Sequence, residues 1–413
     1  MNALPRLNPL NTSAARQALV IGAGLAGAAV CVTLARRGWH CTVLDAAAGP
    51  AQAASALPVG MLSPHVTQAP TPLSRLSEWG VADMRAELQR LLPPGQGWQA
   101  CEVDNRGHNP GRWPAALVRP AALVQAWLHE AQQRVGLSTR WNTAVTRLQR
   151  TDSHTPSWQA LDSSGHLLVQ APVVVVASAW GSLALLRASF AELDDNTLPL
   201  RPVKGQMSLG ALDGPPLAPR PQRDNGVFVP AYEDAGLAPT WPTRVWAMGS
   251  TYRRGDASTH LNPEDHERNA QSLEALQPQA AQAMRVAAEQ GHLLGWAQVR
   301  CASLDRLPLV GAVPDIATLQ QQATTRRRGR LTLQDIPRHE GLYMLAALGS
   351  RGLTLSHGCA GLLAAQLDGE LLDGIDPDLV QVLDPARFVW RQARKQPVPD
   401  ALQRPRSKAS NSL

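Results

Sequence analysis

Two sets of residues in this chain have types and spacings that could do chemistry. The first is Gly22, Gly24 and Gly27, a G-x-G-x-x-G followed about 20 residues on by Asp45. Glycines so placed let backbone approach a pyrophosphate at a helix N-terminus, and an acid at that distance accepts hydrogen bonds from a ribose. The second set is arginine. Arg300, in "VRCASLDRLPLVGAVPD" (299–315), stands with Asp305 and Arg306 among residues that otherwise read as protein interior. A guanidinium there either closes a structural ion pair with Asp305 or binds an anionic ligand through its planar fork. Arg351, in "GSRGL", sits in a second glycine-rich turn, where it is either a solvent-exposed helix-start residue or a second ligand.

These residues need elements to position them. "ALVIGAGLAGAAVCVTLARRGWHCTVLD" (18–45) reads as strand, glycine turn, helix, short loop and strand, the start of a doubly wound sheet. Val173 to Val176, in "LVQAPVVVVASAWG", form a β-branched run suited to a parallel strand buried on both faces. Before it, "TAVTRLQR" and "SWQALDSSG" predict a small β-meander with a turn at Asp162 to Gly165, and Pro120 suits a first helical position. From about 199 to 300 short strands and Pro/Gly loops are expected, with "VWAMGSTYRR" among the better strand candidates. "GLYMLAALGSRGLTLSHGCAGLLAAQLDG" (341–369) then predicts a strand, a glycine-rich turn and a long helix, a second place where helix-terminal amides face a ligand.

Composition bounds the rest. At 413 residues the chain is expected to hold two domains, or one with an insertion, and 44% hydrophobic with 17% charged residues describes a globular chain. No apolar run approaches the roughly 18 residues of a membrane span, so no membrane role is expected. The N-terminus has no apolar signal core, which makes the cytoplasm the expected location. Five cysteines, Cys31, Cys41, Cys101, Cys301 and Cys359, without a C-x-x-C pair argue against a disulfide framework and a zinc site. His65, His108 and His357 lack ligand spacing, and no Ser-His-Asp or H-E-x-x-H pattern occurs. The net charge of +6 favours a polyanionic partner. Its basic residues concentrate in "TTRRRGR" (324–330) and in a tail holding Arg387, Arg391, Arg394, Lys395, Arg404, Arg406 and Lys408, either solvated segments or an RNA-facing surface.

With these elements placed, the chain resembles the D-amino-acid oxidase/glycine oxidase superfamily of FAD-dependent oxidoreductases. Within it, the chain is similar to the oxidoreductase module of the bifunctional enzymes that make 5-methylaminomethyl-2-thiouridine at the tRNA wobble position. The matching stretches, in order, include "VIGAGLAGA", "ASALPVGMLSPH", "LPLRPVKGQMS", "GSTYRRGD" followed by "NPEDHERNAQSL", "VRCASLDRLPLVGAVPD", "LYMLAALGSRGL", "CAGLLAAQL" and "LDPARF". The resemblance implies an α/β fold, a Rossmann-like FAD-binding domain of the D-amino-acid oxidase type with an inserted α+β substrate domain. The implied division is 15–75, 112–198 and 300–375 for FAD, 76–111 and 199–299 for substrate, and 376–413 as a basic C-terminal tail.

It implies FAD contacts by Gly22, Ala23, Gly24, Leu25, Ala26, Gly27, Asp45, Ser55, Ala177, Gly349, Ser350, Arg351, Gly352 and Leu353, with the backbone of Val145 on adenine. The family's Gly-Ala-Ser-Gly-Asn stretch stands here as "AASAL" (53–57), so Ser55 survives where a glycine and the Asn do not. Arg300 aligns with the carboxylate-binding arginine of the glycine oxidase type. Arg351 approaches substrate by the same analogy, and Tyr252 and Lys204 are further candidates near the flavin. The implied reaction removes the carboxymethyl group of 5-carboxymethylaminomethyl-(2-thio)uridine in tRNA, leaving 5-aminomethyl-(2-thio)uridine and glyoxylate. The alternative is an oxidase of glycine, sarcosine or a D-amino acid, because fold alone does not choose the substrate. The residues before 18 are too few for a methyltransferase half, so the chain is expected to oxidise but not methylate, with a separate S-adenosylmethionine-dependent methyltransferase as a candidate partner.

Overall fold

The computed structural model describes residues 16–107, 109–151, 156–322 and 331–395. Six strands form one sheet in the order Leu309–Pro314, Arg338–Ala346, Val173–Val176, Gln17–Ile21, His40–Leu44 and Leu137–Arg140. All neighbours run parallel except Leu309–Pro314, which returns antiparallel at the edge. Alternation along the first strand sends Ala18 and Val20 into one apolar layer and Leu19 and Ile21 into the other. Helices Leu25–Arg36, Pro120–Val135 and Gly352–Leu367 cover the first face. The second face is covered by helix Gly181–Ser189 and by the antiparallel meander Arg147–Arg150, Trp158–Leu161 and Leu167–Ala171, whose turn closes from the Gly165 amide to the Asp162 carbonyl. Covered on both sides, all four valines of Val173–Val176 are buried.

A second sheet of nine strands holds Leu200–Ala211 at its centre of function, paired with Arg244–Gly249, Arg253–Arg254 and Leu294–Ser303. It continues through Gly226–Glu233, Gln222–Asp224, Trp98–Asn105 and Gly111–Val118 to Gly60–Leu62. The short-strand reading of 199–300 is corrected here: Leu200–Ala211 is 12 residues long and Leu294–Ser303 ten. Two helices, Pro263–Glu274 and Pro278–Glu289, also fall in this stretch. The first is set by local chemistry, since Asn262 accepts from the Glu264 amide, Pro263 opens the helix, and Glu264 and Asp265 occupy its first turn.

Two contacts join the sheets where the chain passes from one to the other. Ala302 bridges Leu348, and the Gly349 amide donates to the Cys301 carbonyl at 2.8 Å. Arg306 then turns the chain with φ +63° into Leu309–Pro314. The strand carrying Arg300 is thereby fastened to the turn carrying Arg351.

The reading of the C-terminal arginines as a solvated or RNA-facing tail is corrected at Arg387, which is 1% exposed. It opens helix Arg387–Lys395 and pairs with Asp305. "TTRRRGR", His108 and everything after Lys395, including Arg404, Arg406 and Lys408, lie outside the described residues. Cys31, Cys41, Cys301 and Cys359 are buried free thiols, and Cys101 is a half-buried one. Among the described residues no helix is long and apolar enough to cross a membrane.

Candidate active site

The first glycine turn has no room for side chains. Gly22 has φ +106°, and a Cβ there would lie 2.7 Å from the Ala177 carbonyl oxygen. A Cβ on Gly27 would meet the Gly22 carbonyl oxygen at 1.8 Å, so the helix can pack against the strand only as glycine. No side chain caps Leu25–Arg36 at Gly24, which leaves its N-terminal end for an anion; Ser55 Oγ accepts from the Leu25 amide at 3.0 Å. The Asp45 carboxylate is held at the same turn, accepting from Ala23 N at 2.6 Å and from Ala47 N at 2.8 Å.

The second turn faces the first. Ala347 and Gly349 take positive φ, +61° and +57°, to swing the chain from strand Arg338–Ala346 into helix Gly352–Leu367, whose N-cap Arg351 gives no side-chain capping bond. A Cβ on Gly352 would come within 3.0 Å of Leu25 Cδ1. The two uncapped helix starts therefore meet across one gap.

That gap opens into a cavity of about 440 Å³ whose wall runs from Gly24, Ser55 and Ala177 past Gly349 to Tyr252 and Arg300. Arg300 extends from Leu294–Ser303 over Gly205, where a Cβ would collide with its Nη2 at 1.7 Å. Its Nη2 donates to the Thr251 carbonyl at 2.7 Å, and its guanidinium carbon lies 5.1 Å from the centre of the Tyr252 ring. The ion pair with Asp305 considered from sequence does not form. Asp305 is taken by Arg387, Nη2 to Oδ1 at 2.9 Å and Nε to Oδ2 at 3.0 Å, with Arg391 also at 2.9 Å.

The electrostatics follow from this burial. Desolvation lowers the pKa of Arg300, the Tyr252 ring partly opposing it, and desolvation with the nearby charges of Arg306 and Arg223 lowers that of Arg351. His65, in the same wall, is pushed down to about 4 by burial and by Arg351, Arg223 and Arg306, so it is neutral at physiological pH. Burial pushes the Cys301 thiol up to about 12, which keeps this wall residue protonated and unreactive.

Of the residues singled out from sequence, Gly24, Leu25, Ala26, Ser55, Ala177, Gly349, Ser350, Arg351, Gly352, Leu353, Tyr252 and Arg300 line the one cavity. Gly22, Ala23, Gly27 and Asp45 build the turn behind it. Two are placed elsewhere. Lys204 lies on Leu200–Ala211 between Val203 and Gly205, so strand alternation turns it to the opposite face from Arg300. Its neighbours on that face, Gln206 and Ser208, bond Asn262 and His266. Val145 precedes the meander strand, which begins at Arg147, rather than lying in it. Sequence reasoning missed Arg223, His65, Met207 and Trp296 in the wall. His65 and Met207 fell within quoted motifs, "ASALPVGMLSPH" and "LPLRPVKGQMS", and nothing in their spacing marked them.

Fold and site together define a dinucleotide-binding oxidoreductase in which a second sheet closes over the cofactor cradle. Residues 17–110 and 106–366 match the FAD dependent oxidoreductase family, to which the chain belongs. Its cofactor is FAD, and the residues present fit it: uncapped helix starts for the pyrophosphate, a fixed carboxylate at the first turn, and glycines that permit close approach.

The chain is 37% identical to the tRNA 5-methylaminomethyl-2-thiouridine biosynthesis bifunctional protein MnmC of Paracidovorax citrulli, over 86% of this chain and 58% of that protein. It is 36% identical to the protein of the same name from Delftia acidovorans, over 94% and 63% respectively. The chain thus spans about three fifths of the curated relatives it matches. In fold it is similar to glycine oxidase from Geobacillus kaustophilus, with TM-score 0.64, 19% identity, and 90% of this chain and 99% of that one covered. It is also similar to Amadoriase I from Aspergillus fumigatus, with TM-score 0.64, 14% identity and coverage of 94% and 92%.

Proposed function

We propose that this enzyme removes the carboxymethyl group from 5-carboxymethylaminomethyl-(2-thio)uridine at the tRNA wobble position, giving 5-aminomethyl-(2-thio)uridine and glyoxylate. The six-stranded sheet is read as the FAD domain and most of the nine-stranded sheet as the substrate domain. Bound FAD supplies a two-electron acceptor for hydride from the glycine-like methylene.

The observation that carries this reading is Arg300, desolvated in the cavity wall and, among the described residues, hydrogen-bonded only to a backbone carbonyl. The outer part of the substrate's side chain is an N-substituted glycine, and its carboxylate matches a guanidinium that meets no acid among the described residues. Arg351, across the cavity and likewise without an ion pair among the described residues, adds a second positive charge. With the carboxylate anchored, the unprotonated amine and its methylene are held in one orientation, which converts binding energy into positioning. The Leu294–Ser303 strand fixes this anchor on a sheet rather than a loop. Water then hydrolyses the substrate imine to the aminomethyl uridine and glyoxylate.

The tRNA substrate is supported by the names of the relatives at 36–37% identity. A free amine such as glycine or sarcosine is the second reading, favoured by the fold likeness to glycine oxidase. The deciding experiment incubates the purified flavoprotein with tRNA bearing the carboxymethylaminomethyl group and analyses its nucleosides by mass spectrometry. Appearance of aminomethyl uridine with glyoxylate supports the first reading. An unchanged tRNA alongside glycine turnover overturns it.

A further inference from the structure

The carboxylate of the substrate accounts for Arg300, but the same cavity carries more positive charge than one carboxylate needs. Arg223, from the short strand Gln222–Asp224, reaches its wall and is fixed by three neutral acceptors. Nη1 donates to Ser63 Oγ and to the Pro64 carbonyl, both at 2.8 Å, and Nε donates to Asn105 Oδ1 at 3.1 Å. Nη2 has no acceptor among the described residues, and Arg223 forms no ion pair there. The same is true of the side chains of Arg351 and Arg306. Their charges reach one another, since Arg223 and Arg306 both depress Arg351 and all three depress His65.

Three guanidinium groups without a carboxylate among the described residues repel one another, and the two partly buried ones, Arg223 and Arg351, are costly to desolvate, a cost an anionic ligand would offset. The wall reaches solvent at Tyr252, which is 46% exposed, and Arg306, whose charge acts on Arg351 and His65, is exposed outside the lining. The ligand therefore arrives from solvent and leaves part of itself outside.

We propose that Arg223, with Arg351 and Arg306, forms a phosphate-binding mouth that holds an RNA backbone phosphate beside the base whose substituent Arg300 captures. The inference rests on the tRNA reading above and names a recognition element within it. A nucleotide entering base first must bring its own phosphates to the rim, and a guanidinium held by neutral acceptors keeps its free edge for them. Arg223 would act as a register-setting contact, placing the substituent at the depth of Arg300.

The test uses the full-length flavoprotein and a fluorescein-labelled anticodon stem-loop RNA with an unmodified wobble uridine, read by anisotropy across a potassium chloride series. Arg223→Gln is expected to weaken binding by about tenfold and to reduce the salt slope by about one. Arg223→Lys, which keeps the charge, should recover part of the affinity and all of the salt slope. A second stem-loop carries an uncharged 2′-O-methyl methylphosphonate linkage next to the wobble nucleotide. On that RNA, wild type and Arg223→Gln should bind equally, because the phosphate that Arg223 would meet has lost its charge.

If Arg223→Gln keeps wild-type affinity and slope, or weakens both RNAs alike, Arg223 only staples the Pro64 loop and the inference is overturned while the tRNA reading stands. If the wild type binds neither stem-loop, both fall. The flavin spectrum of each variant reports that it has folded around its cofactor.

Discussion

Arg387 clamps Asp305 with two parallel hydrogen bonds, Nη2 to Oδ1 at 2.9 Å and Nε to Oδ2 at 3.0 Å, and so leaves Arg300 without an acid only five positions away. The helix that begins at Arg387 thus takes up the acid nearest to Arg300 in the chain within this stretch, and Arg300 forms no ion pair among the described residues. Removing Arg387 leaves the half-buried Asp305 carboxylate with the exposed Arg391 as its one cationic partner among the described residues. Arg387→Ala should therefore cost about 3 to 5 kcal/mol of stability by chemical unfolding. A loss below about 0.5 kcal/mol, the range of ordinary surface substitutions, would show that the clamp is not structural.

The same pair sets an acid limit. Burial alone would raise the Asp305 carboxyl, but Arg387 and then Arg391 hold it at about 2. A folded pKa below the unfolded value of about 3.9 gives a contribution that is complete above about pH 4 and lost as pH falls towards 2. Asp305→Asn should flatten the stability profile in that window, as measured by unfolding midpoints. An equally steep profile in the variant would assign the acid sensitivity elsewhere.

His65 works over a higher range. With a folded value near 4 and an unfolded one near 6.5, the unfolded chain binds more protons between those limits, so stability falls as pH drops through them. His65→Gln should remove up to one proton's worth of that slope. A slope unchanged from wild type would mean that the imidazole is protonated in the fold.

Gly205 offers a way to move Arg300 without replacing it. A methyl group at Gly205 would sit 1.7 Å from Arg300 Nη2, the flexible end of a side chain, so the arginine should shift while the strand persists. Gly205→Ala is expected to keep its flavin spectrum and thermal stability and to raise KM by about tenfold or more, with Arg300→Ala raising it by about a hundredfold. Wild-type KM in Gly205→Ala would indicate that Arg300's position is not what captures substrate.

At the first turn, substitution has no such escape. A Cβ on Gly27 would lie 1.8 Å from a carbonyl oxygen of Gly22, backbone against backbone. Gly27→Ala should yield protein depleted of FAD, by the ratio of flavin to protein absorbance. Full occupancy would contradict the tight helix–strand packing.

Much of this was legible in the sequence where local chemistry decides. Gly22, Gly24 and Gly27 and the run Val173–Val176 declare turn and buried strand by themselves, and Arg300 and Arg351 stood in recognisable stretches. What escaped depends on contacts remote in the chain. Arg223 reaches the wall through partners more than a hundred positions away, and Arg387 meets Asp305 across 82 positions. Lys204 lies outside the cavity wall for a geometric reason, since one step along a strand reverses the face and the register of Leu200–Ala211 could not be read in advance.

Carboxylate capture by Arg300 from a tRNA-borne substrate is tested most directly by anaerobic mixing of the flavoprotein with tRNA carrying 5-carboxymethylaminomethyl uridine, watching the flavin absorbance. Wild type should bleach with this tRNA and not with tRNA carrying only the aminomethyl group, which lacks the carboxylate, and Arg300→Ala should bleach about a hundredfold more slowly at the same tRNA concentration. Equal bleaching by wild type and Arg300→Ala, or bleaching by free glycine but by neither tRNA, would contradict it.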